Sequence, residues 1–215
     1  MVKRYPRIPD MYRLYVDTWC FQQYYPNIGH AQDFAVPNTS YAGMSFAKGL
    51  SFTPSALSYF WELYKLTGDP IFVQLLYQGN GNTVEGLLYD IFADDPNRFQ
   101  EQLKEIISKV GPLIKEIPSV NKYKWHLAIL RSGQARNGRA LWIDYDSSGR
   151  HGHDDGMNIG LYAKGLDLLP DFGYKPLQYG GWHSYKATWY GIWAAHNTVV
   201  VDGWSQYSTD GICML

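Results

Sequence analysis

Apolar residues recur at helical spacing through the first half of the chain. Between Pro54 and Gly68 they lie three or four positions apart, at Leu57, Phe60, Trp61 and Tyr64. Because residues at this spacing share one face of a helix, the pattern predicts an amphipathic helix. Thr53 and Pro54 suit its N-cap and first turn, and Gly68 suits its end.

Three further helices are predicted in the same way. Residues 69–70, Asp-Pro, restart the apolar pattern. Asn82 and Glu85 have the spacing of a capping box, which predicts a helix with apolar positions at Val84, Leu87, Leu88, Ile91 and Phe92. Residues 95–96, again Asp-Pro, begin a last helix, which Gly-Pro at 111–112 ends. Short helices joined by tight caps favour antiparallel helix pairs.

The pattern changes after residues 112–121, where Pro118 breaks the helical period and indicates a linker. Bulky apolar residues fill 125–131 and 139–145 on either side of a glycine-containing loop, which predicts a β-hairpin. Residues 157–163 and 166–171 predict a second hairpin around Lys-Gly.

One more strand is predicted at 197–202, which reads Asn-Thr-Val-Val-Val-Asp. Helices followed by strands, without alternation, favour two domains over one α/β domain. We therefore expect an all-α domain over residues 1–120 and an antiparallel β domain over 121–215. Residues 24–33 have no clear period and are expected to form a loop.

Composition narrows the function classes. The 215 residues carry a formal net charge of −1, so the chain lacks the excess of positive charge that binding to nucleic acid requires. No run is long and apolar enough for a membrane span, and the first residues lack the apolar core of a signal peptide. Aromatic residues make up 16% of the chain, and such rings stack on sugar faces as readily as they fill cores. We expect neither a nucleic-acid nor a membrane partner.

Cys20 and Cys213 are the two cysteines, so that one bridge and two free thiols remain equally open. Residues 211–215 follow a predicted strand without a closing element, and we expect the chain to be a fragment of a longer protein.

The densest candidate chemistry lies at residues 151–155, His-Gly-His-Asp-Asp. In an extended segment His151 and His153 point to the same side, so one imidazole could bind a cation while the other meets a substrate. A solvated polar turn before a strand explains the motif about equally well.

The second hairpin extends this site. Its open end gathers the residues before the first strand and after the second, so His153 should approach Asp171. His196 directly precedes the next predicted strand and could reach the same end. Two histidines and one aspartate suit a divalent ion, most simply zinc. Ordinary turns at 171–173 and 196–197 are the alternative.

A metallo-β-lactamase-like hydrolase is a competing interpretation, because its signature is His-x-His-x-Asp-His. Here Gly156 stands where the final histidine belongs, and strands do not alternate with helices beforehand. The sequence therefore disfavours that class.

Several phrases occur in order along the chain. Residues 151–155 are followed by Leu-Tyr-Ala, Gly, Leu-Leu, Asp and Gly-Tyr within 161–174, and then by Ala-His-Asn-Thr-Val-Val-Val-Asp-Gly at 195–203. Upstream, residues 25–29 read Tyr-Pro-Asn-Ile-Gly. Together they resemble the heparinase II/III-like polysaccharide lyases. The resemblance implies an α+β multidomain fold, in which an α-helical (α/α) toroid portion precedes an antiparallel β-sandwich portion.

The resemblance also implies roles for individual residues. His153, Asp171 and His196 would hold a structural zinc, and His151 would face the sugar. Tyr185 is the candidate catalytic tyrosine on the sandwich side, and Tyr174 or Tyr179 could take its place. The substrate-binding candidates are His30, Tyr174, Tyr179 and Trp182, although an Asp usually stands at the family position of His30.

The activity that the resemblance implies is β-elimination on a uronate-containing acidic polysaccharide, such as a glycosaminoglycan or alginate. Two alternatives remain: a non-catalytic carbohydrate-binding module with a structural zinc, and a zinc-dependent hydrolase. The Asn or His and the Tyr that complete the lyase site lie largely upstream in the family, so the fragment is expected to be catalytically incomplete. A periplasmic or extracellular location is expected from the resemblance alone.

Overall fold

The computed structural model describes residues 4–29, 40–41, 44–45, 54–87, 95–114, 117–134, 137–146, 153–173, 177–204 and 211–214. The chain divides into two compact units. The first comprises residues 1–16 and 42–116, and the second comprises 17–41 and 117–215.

Helices build the first unit. They are α1 (Ile8–Asp17, whose last residue falls in the second unit), α2 (Pro54–Thr67), α3 (Ile71–Gly79) and α4 (Pro96–Val110). Carboxylates begin two of them, because Asp69 Oδ1 accepts a hydrogen bond from the Ile71 amide and Asp95 Oδ1 accepts one from the Arg98 amide. Helix α2 ends at Gly68, whose φ of +68° is readily reached by glycine. The predicted bounds of α2 and α4 and the predicted start of α3 are thereby confirmed.

The core of the first unit lies where α2, α3 and α4 pack together. Phe60 and Phe72 are buried with ring centroids 6.3 Å apart, and Trp61 meets Phe99 edge to face at 5.1 Å. The buried amide of Gln74 donates to the carbonyls of Gly111 and Leu113, which satisfies acceptors left open at the end of α4.

The helix predicted from Asn82 and Glu85 does not begin there. Residues 83–87 are not helical and contain a turn at 85–86, with Gly86 at a φ of +69°, and 88–92 lie outside the described residues. Side chains explain the difference. The Thr83 hydroxyl accepts from the Glu85 amide, and the Asn80 amide donates to the carbonyls of Thr83 and Glu85. These local bonds compete with a helical turn.

Short strands β1 (Ser40–Tyr41) and β2 (Met44–Ser45) precede the main sheet. The second unit contains a five-stranded antiparallel sheet in the order in which the strands occur along the chain. Its strands are β3 (Val120–Lys122), β4 (Leu127–Ser132), β5 (Arg139–Asp144), β6 (Asn158–Ala163) and β7 (Leu166–Asp167). Both predicted hairpins are present, β4–β5 and β6–β7. Lys164 and Gly165 join β6 to β7 with φ of +54° and +79°, as a type I′ turn requires.

One face of this sheet is covered by residues 17–29. Trp142 on β5 is fully buried, and its Nε1 donates to the Tyr24 hydroxyl at 3.1 Å. The Tyr24 ring stacks on Tyr162 with centroids 4.7 Å apart. Gly160 lies directly opposite Trp142 in the sheet register and leaves room for the indole.

The strand predicted at 197–202 is not present. A backbone hydrogen bond joins the first residue of this segment to β6, from the Ile159 amide to the Asn197 carbonyl at 3.1 Å. Val199 and Val201 are more than two-thirds exposed, and the chain turns at 201–203. Because both valine side chains stay exposed, their packing does not stabilise a strand here.

Two smaller elements lie between the sheet and the end of the chain. Helix α5 (Tyr185–Tyr190) is capped by the Ser184 hydroxyl, which accepts from the Ala187 amide. Single 3₁₀ turns occur at Leu177–Tyr179 and Trp193–Ala195. Among the described residues, no helix has the length and apolar character needed to cross a membrane.

Replacing Gly160 by alanine should lower the free energy of unfolding by about 1–3 kcal/mol, because the new Cβ would lie 2.1 Å from the Trp142 ring. Urea unfolding followed by tryptophan fluorescence measures the change. Ile159→Val is the matched control, since it also alters one methyl group, on the exposed face of the same strand. Equal stability of Gly160→Ala and the unmodified protein would contradict the packing described above.

Candidate functional site

Several buried polar residues of the second unit gather at the open end of the β6–β7 hairpin. His153 and Asp155 lie just before β6, and Asp171 follows β7. Each is at most 4% exposed. His196 joins them after the 3₁₀ turn, with its ring 4.8 Å from that of His153 and nearly parallel to it. The structure therefore brings His153, Asp171 and His196 together, while their role as metal ligands stays a prediction.

Both nitrogens of His196 are engaged. Nδ1 lies 2.8 Å from Asp171 Oδ1, and Nε2 lies 3.0 Å from the Tyr190 carbonyl oxygen at the end of α5. Because a carbonyl can only accept, Nε2 carries a hydrogen. The proton shared between Nδ1 and Asp171 is then the one that a metal ion could replace.

The environment of His196 favours its charged form. Burial alone would lower the pKa of the imidazole, but the hydrogen bond and charge of Asp171 outweigh it. The carboxylate of Asp155 and the Tyr190 carbonyl add to this effect, so the pKa of His196 is raised. The stabilisation from the pair is full below the ordinary histidine pKa and is lost as pH rises through the raised value.

Three asparagines hold Asp171 and the segment before it. The Asn158 amide donates to Asp171 Oδ2 at 2.7 Å, and the Asn27 amide donates to the Asp171 carbonyl at 3.2 Å. The Asn197 amide donates to the carbonyls of residues 169 and 170, while its backbone amide donates to Asn158 Oδ1. Both oxygens of the Asp171 carboxylate are thus fixed in direction.

Asp155 completes a second set of ligand-type atoms. His153, Asp155 and His196 each offer one donor atom, and these atoms all lie within 4.8 Å of one another. The buried Oδ2 of Asp155 has no hydrogen-bond partner among the described residues. Two imidazoles with carboxylates suit a borderline ion such as zinc. An unsatisfied buried carboxylate oxygen beside them fits a cation at this position.

Several carboxyl groups lie close together around the cluster. Burial, with the charges of Asp146 and Asp155, raises the pKa of Asp144 to about 8. Burial also raises the pKa of Asp155 to about 7, although the charge of His196 opposes the shift. Asp144 pairs with Asn158 between β5 and β6, at the end of these strands where the cluster lies. A bound cation would relieve this repulsion.

The remaining predicted site residues are placed differently. His30, His151 and Tyr174 lie outside the described residues, as does the side chain of Tyr179. Trp182 is about half exposed ahead of α5, and Tyr185, the first residue of α5, is 97% exposed. The Tyr185 phenol therefore lies in solvent.

Sequence reasoning did not assign roles to Asp155, Asn27, Asn158 or Asn197. A usable signal was present for Asn158, because a polar residue at the start of a strand between apolar neighbours must bury its amide against partners. Asn27 was part of the motif at residues 25–29, without a role of its own. Its contact lies 144 residues away along the chain, and local patterns do not reveal such distances.

The fold and the cluster together define a chain of helices followed by an antiparallel sheet with a buried His–Asp site. Residues 124–212 match the family model of the heparinase II/III-like C-terminal domain. The resemblance carried by the sequence motifs is confirmed over this part of the chain.

Solved structures agree with this fold. Two structures of heparinase III align with TM-scores of 0.55 and 0.50, at 13% and 14% identity. They cover 96% and 91% of this chain, and the chain spans about a quarter of their length, 26% and 24%. The heparan sulfate lyase HepC of Pedobacter heparinus aligns at a TM-score of 0.41 and 18% identity, over 80% of this chain and 32% of its own. None of the curated protein sequences matches this chain significantly.

Replacing Asp144 by asparagine should flatten the pH dependence of stability in the presence of a chelator. A carboxyl whose pKa is raised by folding binds its proton more tightly in the native state, so its contribution falls as pH rises from about 4 to about 8. One such proton contributes a slope of at most about 1.4 kcal/mol per pH unit. Urea unfolding at pH 5 and pH 8 measures it.

Asp202→Asn is the matched control, because it makes the same replacement at an exposed carboxyl group. An Asp144→Asn protein that loses stability with pH as steeply as the unmodified protein would disprove the assignment.

Proposed function

We propose that this chain is part of a polysaccharide lyase that cleaves a uronate-containing acidic polysaccharide by β-elimination. The observation that carries the proposal is the buried His153–Asp171–His196 cluster, which lies inside the segment that matches the heparinase II/III-like C-terminal domain. The heparinase names of the similar structures support the same class of substrate.

The architecture follows from the same proposal. The helices of the first unit would be a portion of an α/α toroid, and the five-stranded sheet would be a portion of a β-sandwich. In support, the outer face of the sheet carries apolar side chains in register, since Leu130 pairs with Leu141 and Leu141 pairs with Leu161. Leu130 and Leu141 are more than 40% exposed, as expected for a face that a second sheet covers.

A zinc ion would be held by His153, Asp171 and His196. The Tyr190 carbonyl keeps the hydrogen on His196 Nε2, so Nδ1 is the nitrogen that could bind the ion. Asp155 would serve as a further oxygen ligand or as a neighbouring charge. When bound, the ion would cross-link the hairpin to the segment after α5 and so stabilise the fold.

The bound zinc would hold His151 in place, because His151 lies two residues before His153. In β-elimination a base removes the proton on C5 of the uronate, while donors neutralise the neighbouring carboxylate and stabilise the developing enolate. A tyrosine can return a proton to the leaving O4. We assign substrate contact to His151 and proton transfer to Tyr185, with His30, Tyr174, Tyr179 and Trp182 as further sugar contacts. A periplasmic or extracellular location suits such substrates.

A carbohydrate-binding module without turnover is the second candidate. The 97% exposure of Tyr185 favours it, because a catalytic phenol must be held against its substrate. A zinc-dependent hydrolase is the third, and the experiments below separate all three.

Incubating the protein that contains this chain with a panel of uronate polymers should produce unsaturated ends that absorb ultraviolet light. His151→Ala should reduce that signal by about 10²-fold or more while the unfolding midpoint stays within 1–2 °C. Rising reducing ends without ultraviolet absorption would indicate hydrolysis instead. Binding of the polymer without either product would favour the binding module.

Removing zinc should destabilise the protein, because a structural ion contributes its binding energy to folding. We expect a chelator to lower the melting temperature by several degrees and His153→Ala to abolish zinc binding, measured by metal analysis after gel filtration. Asp171→Asn and Asp155→Asn compare the two carboxylates, and Asp154→Asn is the exposed control. A melting temperature that chelation leaves unchanged would overturn the structural role.

A further inference from the structure

Asn27 links the loop at residues 24–29 to the His–Asp cluster. Its side chain is 2% exposed, and its amide donates to the backbone carbonyl of Asp171 at 3.2 Å, across 144 positions of sequence. Within the second unit, this hydrogen bond joins a side chain of that loop directly to Asp171.

The carbonyl that Asn27 holds belongs to the residue whose carboxylate organises the cluster. Asp171 Oδ1 meets His196 Nδ1, and Oδ2 accepts from Asn158. Rotation of the Asp171 backbone would therefore break both carboxylate contacts, because the side chain turns with the main chain. Asn27 and Asn158 hold the two ends of one residue.

The loop has its own support on the other side. Cys20 and Tyr24 exchange backbone hydrogen bonds at 2.8 and 3.2 Å, and the Tyr24 ring stacks on Tyr162 under the sheet. Ile28 packs against the same core. Apolar packing thus fixes where the loop lies, and Asn27 supplies its polar connection to the cluster.

We propose that Asn27 is a positioning residue through which metal binding at the His–Asp cluster and the conformation of residues 24–29 stabilise each other. The inference rests on the proposed zinc site and goes beyond it. An ion that binds Asp171 and the histidines fixes the Asp171 backbone, which strengthens the Asn27 hydrogen bond. A loop held by that bond presents Asp171 already oriented, which strengthens the binding of the ion. Coupling of this kind is reciprocal.

The coupling has a consequence for the proposed lyase. Residues 24–29 directly precede His30, the predicted sugar contact, so the occupancy of the metal site would set the placement of a second part of the cleft. The zinc would then position residues from both ends of the second unit's sequence, and not His151 alone.

The test combines zinc titration with hydrogen exchange on the 215-residue chain. Asn27→Ala should weaken zinc binding roughly tenfold, the lower end of what the loss of an outer-shell partner costs. In the unmodified protein, chelation should speed amide exchange at residues 25–29 by about the same factor, because the coupling is reciprocal. In Asn27→Ala, exchange there should be fast with or without zinc.

Asn80→Ala is the matched control. Asn80 also donates its amide to backbone carbonyls, those of Thr83 and Glu85, but it lies in the first unit. It should change neither the zinc affinity nor the exchange at 25–29. If Asn27→Ala does not fold, Asn27→Ser removes most of the reach of the side chain with a smaller change in packing and is measured instead.

The outcomes separate this inference from the proposed function. Zinc binding that Asn27→Ala leaves within twofold of the unmodified protein overturns the positioning role, as does chelation-sensitive exchange at 25–29 in that variant. If the unmodified protein binds no zinc, the zinc site itself fails, and the inference fails with it. Neither readout depends on turnover, so an inactive chain still gives a decisive result.

Discussion

The hydrogen bond between Asp171 and His196 is the interaction on which the second unit depends. It joins the end of the β6–β7 hairpin to the segment after α5, and both side chains are almost fully buried. A buried charge without partners would be costly, so the surrounding groups must satisfy every remaining donor and acceptor of the pair. Asn158, Asn27 and the Tyr190 carbonyl do so.

Packing on the inner face of the sheet positions the segments that contact this cluster. Trp142 fills the space over Gly160 and bonds Tyr24, so the loop at 17–29 lies across the inner face of β4, β5 and β6. One layer of aromatic packing therefore orients both the strand that carries Asn158 and the loop that carries Asn27.

Sequence patterns predicted the elements that depend on nearby residues. The helices α2, α3 and α4 and both hairpins were predictable, because caps, glycines and apolar spacing act over a few positions. The non-helical segment at 83–87 was not predictable, because the side chains of Thr83 and Asn80 form hydrogen bonds with the backbone in place of a helical turn. The strand at 197–202 was not either, because Val199 and Val201 have the composition of a strand but remain exposed.

The same distinction between local and long-range contacts applies to the candidate site. The sequence by itself predicted that His153 and Asp171 approach each other, since the hairpin turn at 164–165 brings its two ends together. It placed His196 near them through a strand at 197–202 that does not form and through the order of the family motifs. Only the tertiary structure decided how they meet, with Asp171 bonded to His196 and Asp155 beside both histidines. It also decided that Asn27 takes part. Local sequence encodes backbone periodicity and turns, whereas the partner of a buried polar group is chosen by packing between distant segments.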